Sequence, residues 1–141
     1  MRSGIFVTVA AVAVLAASAA CAAVVHFSAK LDGASETPPN DSKGMGTASV
    51  ELNTTTKNLT WTVKYSGLSG PATMAHFHGP AAVGVAAGVT VPLKAVASPA
   101  KGSATLTDAQ IDQLKAGMWY VNVHTAAHPG GEIRGQVLEA K

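Results

Sequence analysis

Five histidines occur in the chain, and four of them fall in two close pairs: His76 and His78 in Met74-Ala75-His76-Phe77-His78-Gly79-Pro80, and His124 and His128 in Val121-Asn122-Val123-His124-Thr125-Ala126-Ala127-His128-Pro129. Imidazole is the commonest protein ligand for a transition metal, so four of them in a small protein point first to a metal site. Successive side chains on a strand alternate between faces. His76 and His78 therefore point the same way, about 6.6 Å apart along the chain, and both can reach one ion. Phe77 between them faces the opposite side, where a core is expected. His124 ends an alternating run in which Tyr120 and Asn122 share its face. His128 follows at the start of a Pro129-Gly130-Gly131 turn that can fold it back toward His124. Four neutral imidazoles in a tetragonal arrangement favour Cu(II) by the Irving–Williams order, with zinc the weaker alternative. The competing reading is a set of surface histidines at strand ends.

Other residues narrow the chemistry. Cys21 is the only cysteine. A mature chain cut after it has no disulfide and no thiolate, which excludes blue-copper, iron–sulfur and Cys-based zinc sites. Met74 shares the face of His76 and His78; its thioether suits Cu(I), and packing at the edge of the site is its other role. Arg134 and Glu132 lie two apart on an expected strand. They fit either a positive guide for an anionic substrate and an acceptor for a ligand imidazole N–H, or a pair bracing a turn by hydrogen bonds. His26 stands alone on a strand and reads as a solvated or hydrogen-bonded side chain. No nucleophile motif is recognisable, and the Gly-rich stretch 83–88 lacks the Lys-Ser/Thr ending of a phosphate loop.

These residues need elements to position them. Residues 1–23 read as a secretory signal: Arg2 is the positive start, Ile5 to Leu15 the apolar run, and Ala17 to Ala23 the small-residue cleavage zone. A secreted or periplasmic protein follows, with lipid attachment at Cys21 as an alternative processing route. The remaining residues 24–141 make a single domain. Only 13% of the residues are charged, and 14 Gly and 7 Pro argue for short elements joined by turns. The formal charge is +2, or +1 once Arg2 leaves with the leader, so nothing suggests a nucleic-acid partner. No membrane span is expected beyond the leader. Period-two runs predict strands at Val25–Leu31, Thr47–Leu52, Leu59–Tyr65, Thr73–His78, Val89–Leu93, Ser103–Leu106, Met118–His124 and Glu132–Leu138. Thr107-Asp108-Ala109-Gln110 predicts a capping box opening a two-turn helix with Ile111 and Leu114 inward and Gly117 as the stop. The expected fold is an antiparallel Greek-key β-sandwich or barrel with one short helix in a connection.

The domain resembles the CHRD family, first described in chordin and widespread in exported bacterial proteins. The matching residues are Leu31-Asp32-Gly33-Ala34-Ser35-Glu36-Thr37-Pro38-Pro39, Tyr65-Ser66-Gly67-Leu68, Ala75-His76-Phe77-His78-Gly79-Pro80-Ala81, Ala104-Thr105-Leu106-Thr107, and above all Tyr120-Val121-Asn122-Val123-His124-Thr125 running into Pro129-Gly130-Gly131-Glu132-Ile133-Arg134-Gly135-Gln136. The resemblance implies a β-sandwich similar in outline to copper–zinc superoxide dismutase, and some bacterial members are regarded as copper proteins with dismutase activity. One departure is His128, where many members carry Asn. The reading that joins residues and resemblance is one copper ion held by His76, His78, His124 and His128, with Arg134 steering superoxide. A copper-exchange protein is the partner if the role is carriage, and a homodimer is left open. A CHRD module that binds another protein without metal is the remaining alternative.

Overall fold

A computed structural model describes residues 13–15 and 23–141. The expected leader lies almost wholly outside the described residues. The elements are β1 (Val24–Asp32), β2 (Met45–Asn53), β3 (Asn58–Ser66), β4 (Ala72–His78), β5 (Val89–Pro92), β6 (Ala100–Thr105), α1 (Asp108–Lys115), β7 (Trp119–Thr125) and β8 (Ile133–Glu139). Alternation sets each strand's inner face. Phe27, Ala29 and Leu31 of β1, Ala48, Val50 and Leu52 of β2, and Leu59, Trp61 and Val63 of β3 are buried, while the residues between them face outward.

All eight strands form one antiparallel sheet in the order β5-β4-β7-β8-β1-β2-β3-β6, which curls into a nearly closed barrel. The β1–β2–β3 meander pairs without a break. The passage from β3 to β4 carries the chain from one end of the sheet toward the other, and β7 returns to insert between β4 and β8. Sheet closure on itself buries most edges, leaving β5 and β6 as the open pair. Trp61, Phe77 and Trp119 lie within the core, with Phe77 5.3 Å from Trp61 and 6.0 Å from Trp119 between ring centroids.

The helix forms as its sequence dictates. Thr107 caps it through a bond from the Gln110 N–H, and the Gln110 side chain accepts from the Thr107 N–H. Ile111 and Leu114 turn inward, and Gly117 ends the segment at φ 71. No described helix is long and apolar enough to cross a membrane.

One region breaks the in–out alternation: every residue of β7 is buried. The outer face of β4, β7 and β8 is roofed by the segments 33–42 and 79–88. Asn40 donates to the Glu132 carbonyl, Gln136 to the Ala81 carbonyl, and the Tyr120 hydroxyl to the Ala87 carbonyl. A polar layer thus lies between barrel and loops, with His78 and His124 buried in it and His76 half-buried beside them.

Candidate metal centre

Register brings the first His pair to the second. In the β4–β7 ladder His78 stands opposite Tyr120, His76 opposite Asn122, and Met74 opposite His124. His76 Nδ1 and His124 Nε2 approach to 3.1 Å. Two nitrogens bound to one metal at about 2.0 Å, at angles between square and tetrahedral, lie roughly 2.8–3.3 Å apart. That spacing serves a hydrogen bond from His76 Nδ1–H to the His124 Nε2 lone pair when no metal is bound, and it also matches two cis ligands on one ion. His78 completes the set: one nitrogen from each of His76, His78 and His124 lies within 4.8 Å of the others. Closing all three on one ion asks for movement on the order of an ångström.

Two of the three rings are anchored through a nitrogen turned away from the centre. His124 Nδ1 donates to the Pro129 carbonyl at 2.9 Å, which leaves the Nε2 lone pair facing His76. His78 Nδ1 stands 3.0 Å from the Ala87 carbonyl, and Nε2 2.8 Å from Asn122 Oδ1. A neutral imidazole has a single N–H. With that proton on Nδ1 for Ala87, the Nε2 lone pair is the one a metal would use, and the metal would replace Asn122. Burial pushes the pKa of His76 down, and the neighbouring His124 and His78 add to the effect. Burial also lowers that of His78, against the opposing hydrogen bonds to Ala87 and Asn122. Both rings are held toward the neutral form that ligation requires. Three imidazole nitrogens fit a borderline divalent ion such as copper or zinc.

Below the histidines lies a stack. The Tyr120 ring is parallel to His78, 4.7 Å between centroids and 3° between planes. The Arg134 guanidinium carbon sits 3.5 Å from the Tyr120 centroid. The Tyr120 hydroxyl accepts from the Ala87 N–H at 3.0 Å and donates to the Ala87 carbonyl at 3.1 Å, the carbonyl that His78 also uses. Arg134 is 1% exposed and donates to Thr37 Oγ1 at 3.1 Å and the Val85 carbonyl at 2.8 Å. The expected steering cation is therefore a bolt between the two roofing loops. Glu36, also buried, has its carboxyl raised by burial, an effect that the Arg134 charge and hydrogen bonds from Thr37 and Asn122 partly offset.

The fourth expected ligand stands elsewhere. His128 Nε2 lies 3.7 Å from Glu132 Oε1, away from the three-imidazole cluster. Glu132 is fully buried; burial pushes its carboxyl up, but hydrogen bonds from Ser69 and Ser42 and the His128 charge hold it below the ordinary value. Of the two roles open to Glu132 in the sequence, the brace is the one its contacts serve. His26 is on another strand, 3.2 Å from Glu51 on the exposed β1–β2 face. Met74 is 46% exposed at the rim of the cluster.

Sequence reasoning missed Tyr120 and Glu36 as parts of the site. Tyr120 shares the His124 face by alternation, so its place was readable, but its stacking depends on β4 being the neighbour. Glu36 sits in a turn-rich segment and gave no chemical signal of its own. In comparison with known proteins, the CHRD domain family matches residues 27–137. No curated protein and no solved structure matches the chain.

Proposed function

Since the chain belongs to the CHRD domain family, and since its described residues gather three imidazoles at one point, we propose that it is an exported copper protein in which His76, His78 and His124 hold one copper ion for superoxide dismutation. The observation that carries this reading is the 3.1 Å approach of His76 Nδ1 to His124 Nε2. Copper, when bound, supplies the one-electron exchange with superoxide. The chain's own residues do the rest. Pro129 and Ala87 orient two of the imidazoles through their far nitrogens, and the Tyr120–Arg134 stack holds the 79–88 loop over the buried side. His76, only half-buried, marks the side open to a small anion. The Arg134 charge reaches the centre as a field through the stack rather than by contact.

A copper carrier or buffer is the second reading, favoured by the burial of Arg134. Fast dismutation gains from a reachable cation at the mouth, and this guanidinium is fully engaged. Zinc in the same three imidazoles is the lesser alternative. The test is copper stoichiometry together with the superoxide-dismutation rate, on the protein and on a His76→Ala/His124→Ala variant. One tightly bound copper per chain with turnover lost in the variant supports the dismutase. Tight copper without turnover assigns the carrier role. No specific copper leaves a partner-binding module.

A further inference from the structure

Three imidazoles leave a copper ion with a coordination position to fill, and His128 does not face it. Met74 stands exposed beside the cluster, opposite His124. It precedes His76 by two residues and His78 by four, and from Met74 onward the β4–β7 register runs without a shift, so the three side chains share one face. The residues between them, Ala75 and Phe77, are 2% and 0% exposed inside the barrel. Across the ladder Met74 stands directly opposite His124, at the cross-strand spacing of about 4.5–5.5 Å between Cβ atoms.

Packing does not account for this side chain. At 46% exposure Met74 is one of nine large apolar residues exposed among the described residues, and it is absent from the core cluster and from the residues packed against it. It combines a soft, polarisable sulfur with three rotatable bonds, so the thioether can swing to the cluster without moving the backbone. Residues 23–141 hold no cysteine, and the other two methionines there, Met45 at the start of β2 and Met118 just before β7, lie outside β4.

We propose that Met74 is a fourth ligand of the site and that it binds Cu(I) selectively, giving a three-histidine, one-thioether set. This rests on the copper reading above. Thioether sulfur adds affinity for Cu(I) and little for Cu(II) or Zn(II), so Met74 tunes the oxidation state that the site retains.

The experiment compares the protein with Met74→Leu and Met74→Ala, both at an exposed position. Cu(I) affinity is measured anaerobically against a chromogenic chelator, Cu(II) affinity by chelator competition, and the Cu(I) form is examined by X-ray absorption. The expected result is a sulfur scatterer in the Cu(I) protein that disappears in both variants. Cu(I) affinity falls by on the order of tenfold or more while Cu(II) affinity stays within about twofold. A Cu(I) spectrum with nitrogen scatterers alone, a sulfur signal that survives in both variants, or equal losses for the two oxidation states overturns the proposal while leaving the histidine site intact. Failure of the unaltered protein to take up copper in either state overturns both readings.

Discussion

Two of the three clustered imidazoles are fixed by what their far nitrogens do. His124 is tied to Pro129 and His78 to Ala87, so tautomer and ring angle are set before any metal arrives. His128 belongs instead to the Thr125–Gly131 turn, where its carbonyl accepts from the Thr125 and Gly131 N–H groups and its ring faces Glu132. Replacing His124 by Gln is expected to weaken Cu(II) binding by on the order of a hundredfold or more, and His128→Gln by less than about threefold. Chelator competition on the two variants checks this, and equal losses would return His128 to the ligand set. The contrast shows what was legible at this scale. His-x-His on a strand reads directly because alternation is a property of neighbouring residues. The direction of His128 depended on how a seven-residue turn closes, which spacing does not encode.

At the scale of elements the site is a strand pair under two loops. Tyr120 on β7 grips the 79–88 loop through both backbone groups of Ala87, and Arg134 on β8 ties that loop to Thr37. Tyr120→Phe keeps the stack on His78 but loses the grip. It is expected to cost about 1 kcal/mol in denaturant unfolding and to speed hydrogen exchange at the Ala87 amide, with or without metal. Unchanged exchange at Ala87 would mean that the loop is held by Arg134 alone. The β8–β1 seam makes a second prediction. A Cβ added at Gly135 would overlap the Lys30 carbonyl oxygen of β1. Gly→Ala within a strand ordinarily stabilises slightly, yet here Gly135→Ala is expected to destabilise by about 2–4 kcal/mol, because the obstacle is backbone. A variant that unfolds at the same denaturant concentration as its parent would show that the strands can part without loss.

For the whole molecule, stability depends on pH through groups spread between the site and its roof. His76 and His78 titrate below their ordinary value of 6.5 in the folded protein. The unfolded chain therefore takes up these protons first, and stability is lost as pH falls from about 6.5 through the lower folded values. Glu132, held below 4.5, adds stability that is present above 4.5 and lost as pH falls through its folded value. Glu36, raised above 4.5, acts in the opposite sense: its folded form gains its proton first, which adds stability as pH approaches 4.5. In metal-free protein the urea midpoint is expected to drop between about pH 7.5 and pH 5.5, and His76→Gln to shrink that drop. A midpoint level across this interval would mean that the histidines are as free to ionise in the fold as in the unfolded chain.

Fold class, the approximate strand positions and the shared face of His76 and His78 were determined by the sequence alone. The expected run Leu59–Tyr65 became β3 with one more residue at each end, Asn58–Ser66, and the Thr107 capping box formed with both its bonds. These features rest on periodicity and on contacts between residues a few positions apart, which the chain dictates wherever it folds. Only the tertiary structure decided that β7 inserts beside β4, joining His76 to His124 across 48 positions, and that Arg134 faces a roof instead of solvent. Strand neighbours and loop coverage are settled by the closing of the whole barrel around one core, where every pairing competes with every other. No local pattern carries that information.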